Sequence, residues 1–133
     1  MEYSGPTDLY MGGEWRKANS AETIDSVDPT TEAVYAAVQR ADASDIDEAV
    51  RAAAAAADRE SDWRMMDPDN RRAAIHAMAD AIEEMKDEIA MVESHDNGKT
   101  PFEAQMEVDM VIDTFRYYAG WTDKATGDEI PVS

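Results

Sequence analysis

Apolar positions change their spacing near residue 40. Before it they alternate with polar ones in short runs, and after it they recur every three or four residues. Leu9-Tyr10-Met11 and Glu14-Trp15-Arg16 flank Gly12-Gly13, a hairpin signal because both glycines can take positive φ. Thr23-Ile24-Asp25-Ser26-Val27 alternates as a half-buried strand does. Asp28-Pro29-Thr30-Thr31 reads as a turn, and Val34-Tyr35-Ala36-Ala37-Val38 as the next strand. Residues 1–8 are polar and expected to be disordered. The pattern therefore predicts an N-terminal β meander followed by three or four helices, an α+β fold.

The helices carry their own start and stop signals. Ser44 is the expected N-cap of the first, whose stripe Ile46, Ala49, Val50, Ala53 and Ala57 is mostly alanine and suits close packing. Asp67-Pro68 opens the second, with Ala74, Met78, Ala81, Ile82, Met85 and Ile89 on one face and a break expected near Lys86-Asp87. The turn after it is expected at residues 95–99, with Asn97 or Gly98 suited to a left-handed cap. Thr100-Pro101-Phe102-Glu103 is a capping-box signature. It begins an apolar helix through Phe102, Met106, Met110, Val111, Phe115, Tyr117 and Tyr118 to about Trp121.

Composition narrows the function. The formal net charge of −18 is the wrong sign for binding nucleic acid or an anionic membrane. A hydrophobic fraction of 44% is ordinary for a folded domain, so the charge reads as a carboxylate-covered surface rather than disorder. Such surfaces suit a salt-adapted cytoplasm, where ions screen the self-repulsion. The chain has no cysteine, hence no disulfide scaffold and no thiolate nucleophile of its own. No basic-then-apolar leader opens the chain, and the expected location is cytoplasmic. Two histidines do not make a zinc site: His76 falls inside a helix, and His95 beside Asp96 in a turn. Gly12-Gly13 lacks the spacing of a phosphate-binding loop.

Specific words go further. Leu9-Tyr10-Met11-Gly12-Gly13-Glu14-Trp15, Val27-Asp28-Pro29-Thr30-Thr31-Glu32 and Trp63-Arg64 with Arg71-Arg72 occur in order. Asp96-Asn97-Gly98-Lys99, Asp113-Thr114-Phe115-Arg116-Tyr117-Tyr118-Ala119-Gly120-Trp121 and Ile130-Pro131-Val132 follow them. Together they resemble the opening of the NAD(P)-dependent aldehyde dehydrogenase family, with Gly12 and Asp28 standing where that family usually has Asn. The resemblance implies that residues 9–133 are the N-terminal portion of an α/β Rossmann-like coenzyme-binding domain.

What the family does is then an expectation. It oxidises an aldehyde to a carboxylic acid with NAD or NADP: a cysteine thiolate attacks the carbonyl, a hydride passes to the nicotinamide, and a glutamate activates water. An asparagine side chain and a backbone N–H hold the oxyanion. In family members those groups follow the region matched here, so no catalytic or cofactor-binding residue is expected in this chain and the fragment alone is expected to be inactive. The resemblance places Met106 and Met110 on a helix that lines the substrate tunnel. It also places Asp96, with the backbone carbonyls of Ser26 and Val27, at a monovalent-cation site. The full-length enzyme is expected to be a homo-oligomer. The competing expectation is a non-catalytic acidic helical interaction module derived from such an enzyme.

Overall fold

Gly12 and Gly13 both adopt positive φ, at 62° and 88°, and this turns β1 (Leu9–Met11) back onto β2 (Glu14–Arg16). The structure, a computed structural model, describes residues 3–124, 126 and 127. Leu9 pairs with Arg16 and Met11 with Glu14. A second hairpin joins β3 (Thr23–Val27) to β4 (Val34–Gln39), and the Asp28-Pro29 turn forms as its sequence requires. The Asp28 carboxylate accepts from the backbone N–H of Thr30 at 2.7 Å, and Glu32 takes a left-handed φ of 58°.

The expected meander is instead two separate two-stranded sheets. β2 is short and polar, and its Arg16 side chain turns away to Glu48 and Asp45. The link between the hairpins is made by a side chain: the Gln39 amide oxygen accepts from the Ala18 N–H at 3.0 Å. Ahead of β1, the Thr7 carbonyl accepts from the Gln39 N–H at 2.9 Å.

Helix α1 (Ala43–Ala56) is capped by Asp42, not by Ser44. Asp42 accepts from the N–H groups of Ser44 and Asp45, and Asp45 reciprocates onto the Asp42 N–H, completing a capping box. Ser44 is left to donate to Asp42. The apolar stripe of α1 is not packed: Ile46 and Val50 are more than half exposed, and the buried residue on this helix is Asp45. A one-turn helix α2 (Asp62–Met65), capped by Ser61, was not legible in the periodicity because it is too short to show one.

The expected break near Lys86-Asp87 is present. α3 (Pro68–Glu84), capped by Asp67, ends just before α4 (Lys86–Asn97) begins. α4 runs two residues past His95, so His95 belongs to a helix and not to the turn. Gly98 supplies the left-handed cap, with φ of 76°. Thr100 and Glu103 form the expected capping box of α5 (Pro101–Ala119).

α3 and α4 both pack on α5. The core is built from small residues: Ala79, Ala90 and Ala104 with Val108 and Ile112, flanked by Ile82, Ile89 and Phe115. Alanines let the helix axes approach closely. The face of α3 in the core is therefore centred on Ala79 and Ile82, while Met78 and Met85 are about half exposed. α5 likewise buries Ala104, Val108, Ile112 and Ala119. Its larger apolar residues, Phe102, Met106, Met110, Tyr117 and Tyr118, are at least half exposed.

Candidate functional site

Two turns that are far apart in sequence meet at the C-terminus of α4. Gly98 ends the helix, and a Cβ built there would sit 2.9 Å from Pro29 Cγ, so the β3–β4 turn rests directly on the glycine. Asp28, buried to 7% exposure, faces His95: Nδ1 lies 3.2 Å from Oδ2. The Thr30 N–H, followed by the His95 contact, holds the Asp28 carboxyl below the usual range. An ionised carboxylate only accepts, so His95 Nδ1 is the donor in this contact.

This docking brings Asp96 to β3 and β4. Its Oδ1 accepts from the Ser26 hydroxyl at 2.7 Å and from the Tyr35 hydroxyl at 2.6 Å. The two hydroxyls are 3.1 Å apart. Tyr35 and then Ser26 lower the Asp96 pKa, and the same bond to Asp96 raises that of Tyr35. The register slips between Ser26 and Val27: Ser26 pairs with Ala36, Val27 with Val34, so β4 carries Tyr35 as one extra residue. Of the expected cation-site residues, Asp96 and Ser26 are thus in contact, and Val27 flanks the bulge. The groups that meet here are one carboxylate and two hydroxyls, all hard oxygen. Among the described residues no three His, Cys, Asp or Glu side chains converge, so a carboxylate cage for a divalent ion is lacking. This donor set fits a monovalent cation better.

A cavity of about 340 Å³ opens beside the cluster, bounded by Tyr3, Ser26, Tyr35, Glu93 and Asp96 among others. Glu93 is already engaged: Oε1 accepts from Asn97 at 2.6 Å and from Lys99 at 2.7 Å. Lys99 also pairs with Glu107 of α5, and the Glu107 and then the Glu93 contacts raise its pKa. Tyr35, His95 and Lys99 were not singled out from the sequence as site residues. A regular strand would turn Tyr35 away from Ser26, and only the register slip reverses that.

The second candidate lies on α5. Met110 lines an open apolar groove of about 610 Å³ with Glu107, Val111, Thr114 and Phe115. Met106, one turn earlier and half exposed, is not among the groove-lining residues. Thr114 and Phe115 continue into a smaller hollow with Ile75 and Tyr118. Neither methionine is core: Met110 is 65% exposed. The Trp63-Arg64 and Arg71-Arg72 words are joined by Arg71, which stacks on the Trp63 ring at 5.2 Å and donates to the Trp63 carbonyl at 2.8 Å. Ile130-Pro131-Val132 lies outside the described residues.

The comparisons agree with this architecture. The family model described as "Aldehyde dehydrogenase family" matches residues 15–133. Human mitochondrial aldehyde dehydrogenase is 40% identical over 126 residues, which are 93% of this chain and 24% of that protein. The putative aldehyde dehydrogenase DhaS of Bacillus subtilis is 39% identical over 130 residues, 97% of this chain and 26% of that one. The NAD+ complex of the Bacillus cereus aldehyde dehydrogenase superposes with a TM-score of 0.91 at 37% identity, covering 97% of this chain and 26% of that one. Betaine aldehyde dehydrogenase from Staphylococcus aureus, solved with NAD+, gives 0.84 at 27% identity over 96% of this chain and 25% of its own length. The chain thus spans about a quarter of the length of these relatives. Among the described residues no helix is long and apolar enough to cross a membrane. With its hairpins, its paired turns and its α3–α4–α5 packing, the chain belongs to the aldehyde dehydrogenase family.

Proposed function

We propose that this chain works as the opening segment of an NAD(P)-dependent oxidoreductase that converts an aldehyde to a carboxylic acid. The observation that carries the reading is the superposition of nearly the whole chain on an aldehyde dehydrogenase solved with NAD+, at a TM-score of 0.91. The chemistry belongs to the complete enzyme, since none of these residues is a cysteine. The chain contributes scaffolding, part of a substrate tunnel and a cation site.

Met110, with Met106 one turn behind it, is assigned to the tunnel wall. The assignment is supported by the exposure of both and by the apolar groove that Met110 lines, and methionine adapts to varied aldehyde shapes. Asp96 and the backbone carbonyls of Ser26 and Val27 are assigned to a monovalent cation, supported by the oxygen donor set and the interrupted ladder at Val27. The same reading makes the enzyme a homo-oligomer of a salt-rich cytoplasm, and the net charge of −18 supports the salt. NADP remains within the reading as a second coenzyme.

The test is a steady-state assay of the complete protein encoded with this chain. Aliphatic and aromatic aldehydes are offered with NAD and with NADP, and reduced nicotinamide and carboxylic acid are measured. Stoichiometric formation of both is expected. Absence of both products across the panel overturns the enzyme reading and favours the interaction module, for which the exposed Phe102, Tyr117 and Tyr118 of α5 would be the contact face. Calorimetry of NAD with the 133-residue chain alone is expected to show no binding.

A further inference from the structure

We propose that Tyr35 is a positioning residue for Asp96: its hydroxyl, brought round by the extra residue in β4, shares Oδ1 with Ser26 and leaves Oδ2 to a monovalent cation. The inference rests on the cation site put forward above and names a residue that its ligand set does not include.

The backbone makes the case first. Ser26 pairs directly with Ala36, and cross-strand partners project to the same face. In a regular strand Tyr35, next to Ala36, would project to the opposite face. Its hydroxyl nevertheless lies 3.1 Å from Ser26 Oγ and 2.6 Å from Asp96 Oδ1. The register slip between Ser26 and Val27 is what re-aims it. Tyr3 then meets the Tyr35 ring edge-on, with centroids 6.4 Å apart and planes at 83°, which holds the ring in place.

The hydrogen bonds make the case next. Asp96 sits at the exposed end of α4 and would otherwise sample several rotamers. Two hydroxyl donors on one oxygen fix the carboxylate and favour its charged form. Both bonds fall on Oδ1, and among the described residues Oδ2 accepts no hydrogen bond. The other carboxylate at the cavity, Glu93, is ion-paired with Lys99, whereas Asp96 is bonded only by neutral hydroxyls, so Asp96 supplies the unbalanced charge. Partners of this kind orient metal ligands and set affinity without touching the ion.

The test measures K⁺ and Na⁺ binding to the complete protein by calorimetry, with tetramethylammonium chloride holding ionic strength constant. That control matters because any salt screens a charge of −18. Wild type is expected to bind K⁺ or Na⁺ above the tetramethylammonium baseline, and Asp96→Asn to lose that binding. Tyr35→Phe, which keeps the ring and removes the hydroxyl, is expected to weaken binding by about tenfold. Ser26→Ala, which removes the other donor, should shift it in the same direction and carries the test if the Phe variant does not fold. Tyr10→Phe, on the other hairpin, should change nothing. Wild-type affinity in a folded Tyr35→Phe, with binding lost in Asp96→Asn, overturns this inference and leaves the cation site standing. No specific binding by wild type, or unchanged binding in Asp96→Asn, overturns both.

Discussion

Pro29 sits on Gly98. The Pro29 Cγ lies 2.9 Å from where a Cβ on Gly98 would be, and the glycine is held at a φ of 76°. One contact therefore locks the β3–β4 turn to the end of α4 and presents Asp96 to Ser26 and Tyr35. Gly98→Ala combines a left-handed φ with a clash against a rigid ring. It should destabilise the protein by about 2 kcal/mol, the left-handed conformation alone costing roughly 1–2. Urea unfolding of the variant measures this. A loss below the error of the method would show that the turn moves aside freely.

The Asp28–His95 contact gives the same junction a pH dependence. The Thr30 N–H, with the His95 contact second, lowers the folded-state pKa of Asp28. A lowered carboxylate contributes stability above its unfolded value, and that stability is lost as pH falls through the folded value. Asp96, lowered by Tyr35 and then Ser26, acts in the same window. Stability is thus expected to fall below about pH 4, where unperturbed carboxylates titrate. Asp28→Asn should keep an acceptor for the Thr30 N–H and shallow the acid limb. Unfolding midpoints between pH 2 and about 6 test this, and an acid limb identical to wild type would remove Asp28 from the account.

Met110 and Ile112 are two residues apart on α5 but face different surroundings. Ile112 is 3% exposed in the core and Met110 is 65% exposed at the groove. Ile112→Ala should cost about 2–5 kcal/mol, the range for emptying a core site. Met110→Trp should change stability by less than about 0.5 kcal/mol. In the complete enzyme it should raise KM for bulky aldehydes more than for small ones. Equal KM changes across aldehyde sizes would argue against a tunnel wall at Met110.

Arg71 joins two segments through its planar head. It stacks on Trp63 at 5.2 Å and donates to the Trp63 carbonyl. Lysine keeps the charge but loses the flat stacking surface and the fork of donors. Arg71→Lys should therefore cost about 1 kcal/mol, read from thermal unfolding with Arg64→Lys as the control that should not move.

Much of the fold was written locally. The glycine pair, Asp67-Pro68, the Gly98 cap and the Thr100–Glu103 box each act within a few residues and formed where the sequence placed them. Capping and turn chemistry depend on neighbouring backbone groups, so a linear reading can find them. Ser44 failed as a cap because Asp42, two residues earlier, starts the helix with a charged acceptor for the Ser44 and Asp45 N–H groups, and the Ile46 N–H is then already bonded to the Asp42 carbonyl.

Which face of each helix became core was a tertiary decision. The sequence pointed to the largest apolar residues of α5, whereas close packing of α3, α4 and α5 selected Ala104, Val108 and Ile112 and left the methionines and tyrosines outside. Size marks a residue as hydrophobic but does not say what it faces. The strand periodicity could not reveal that the meander was two hairpins, because pairing depends on where Arg16 and Gln39 find their partners. Asp96 and Ser26 were nameable from the order of the family's words. That Tyr35 joins them required a one-residue slip in register, a property of two strands together and not of either sequence alone.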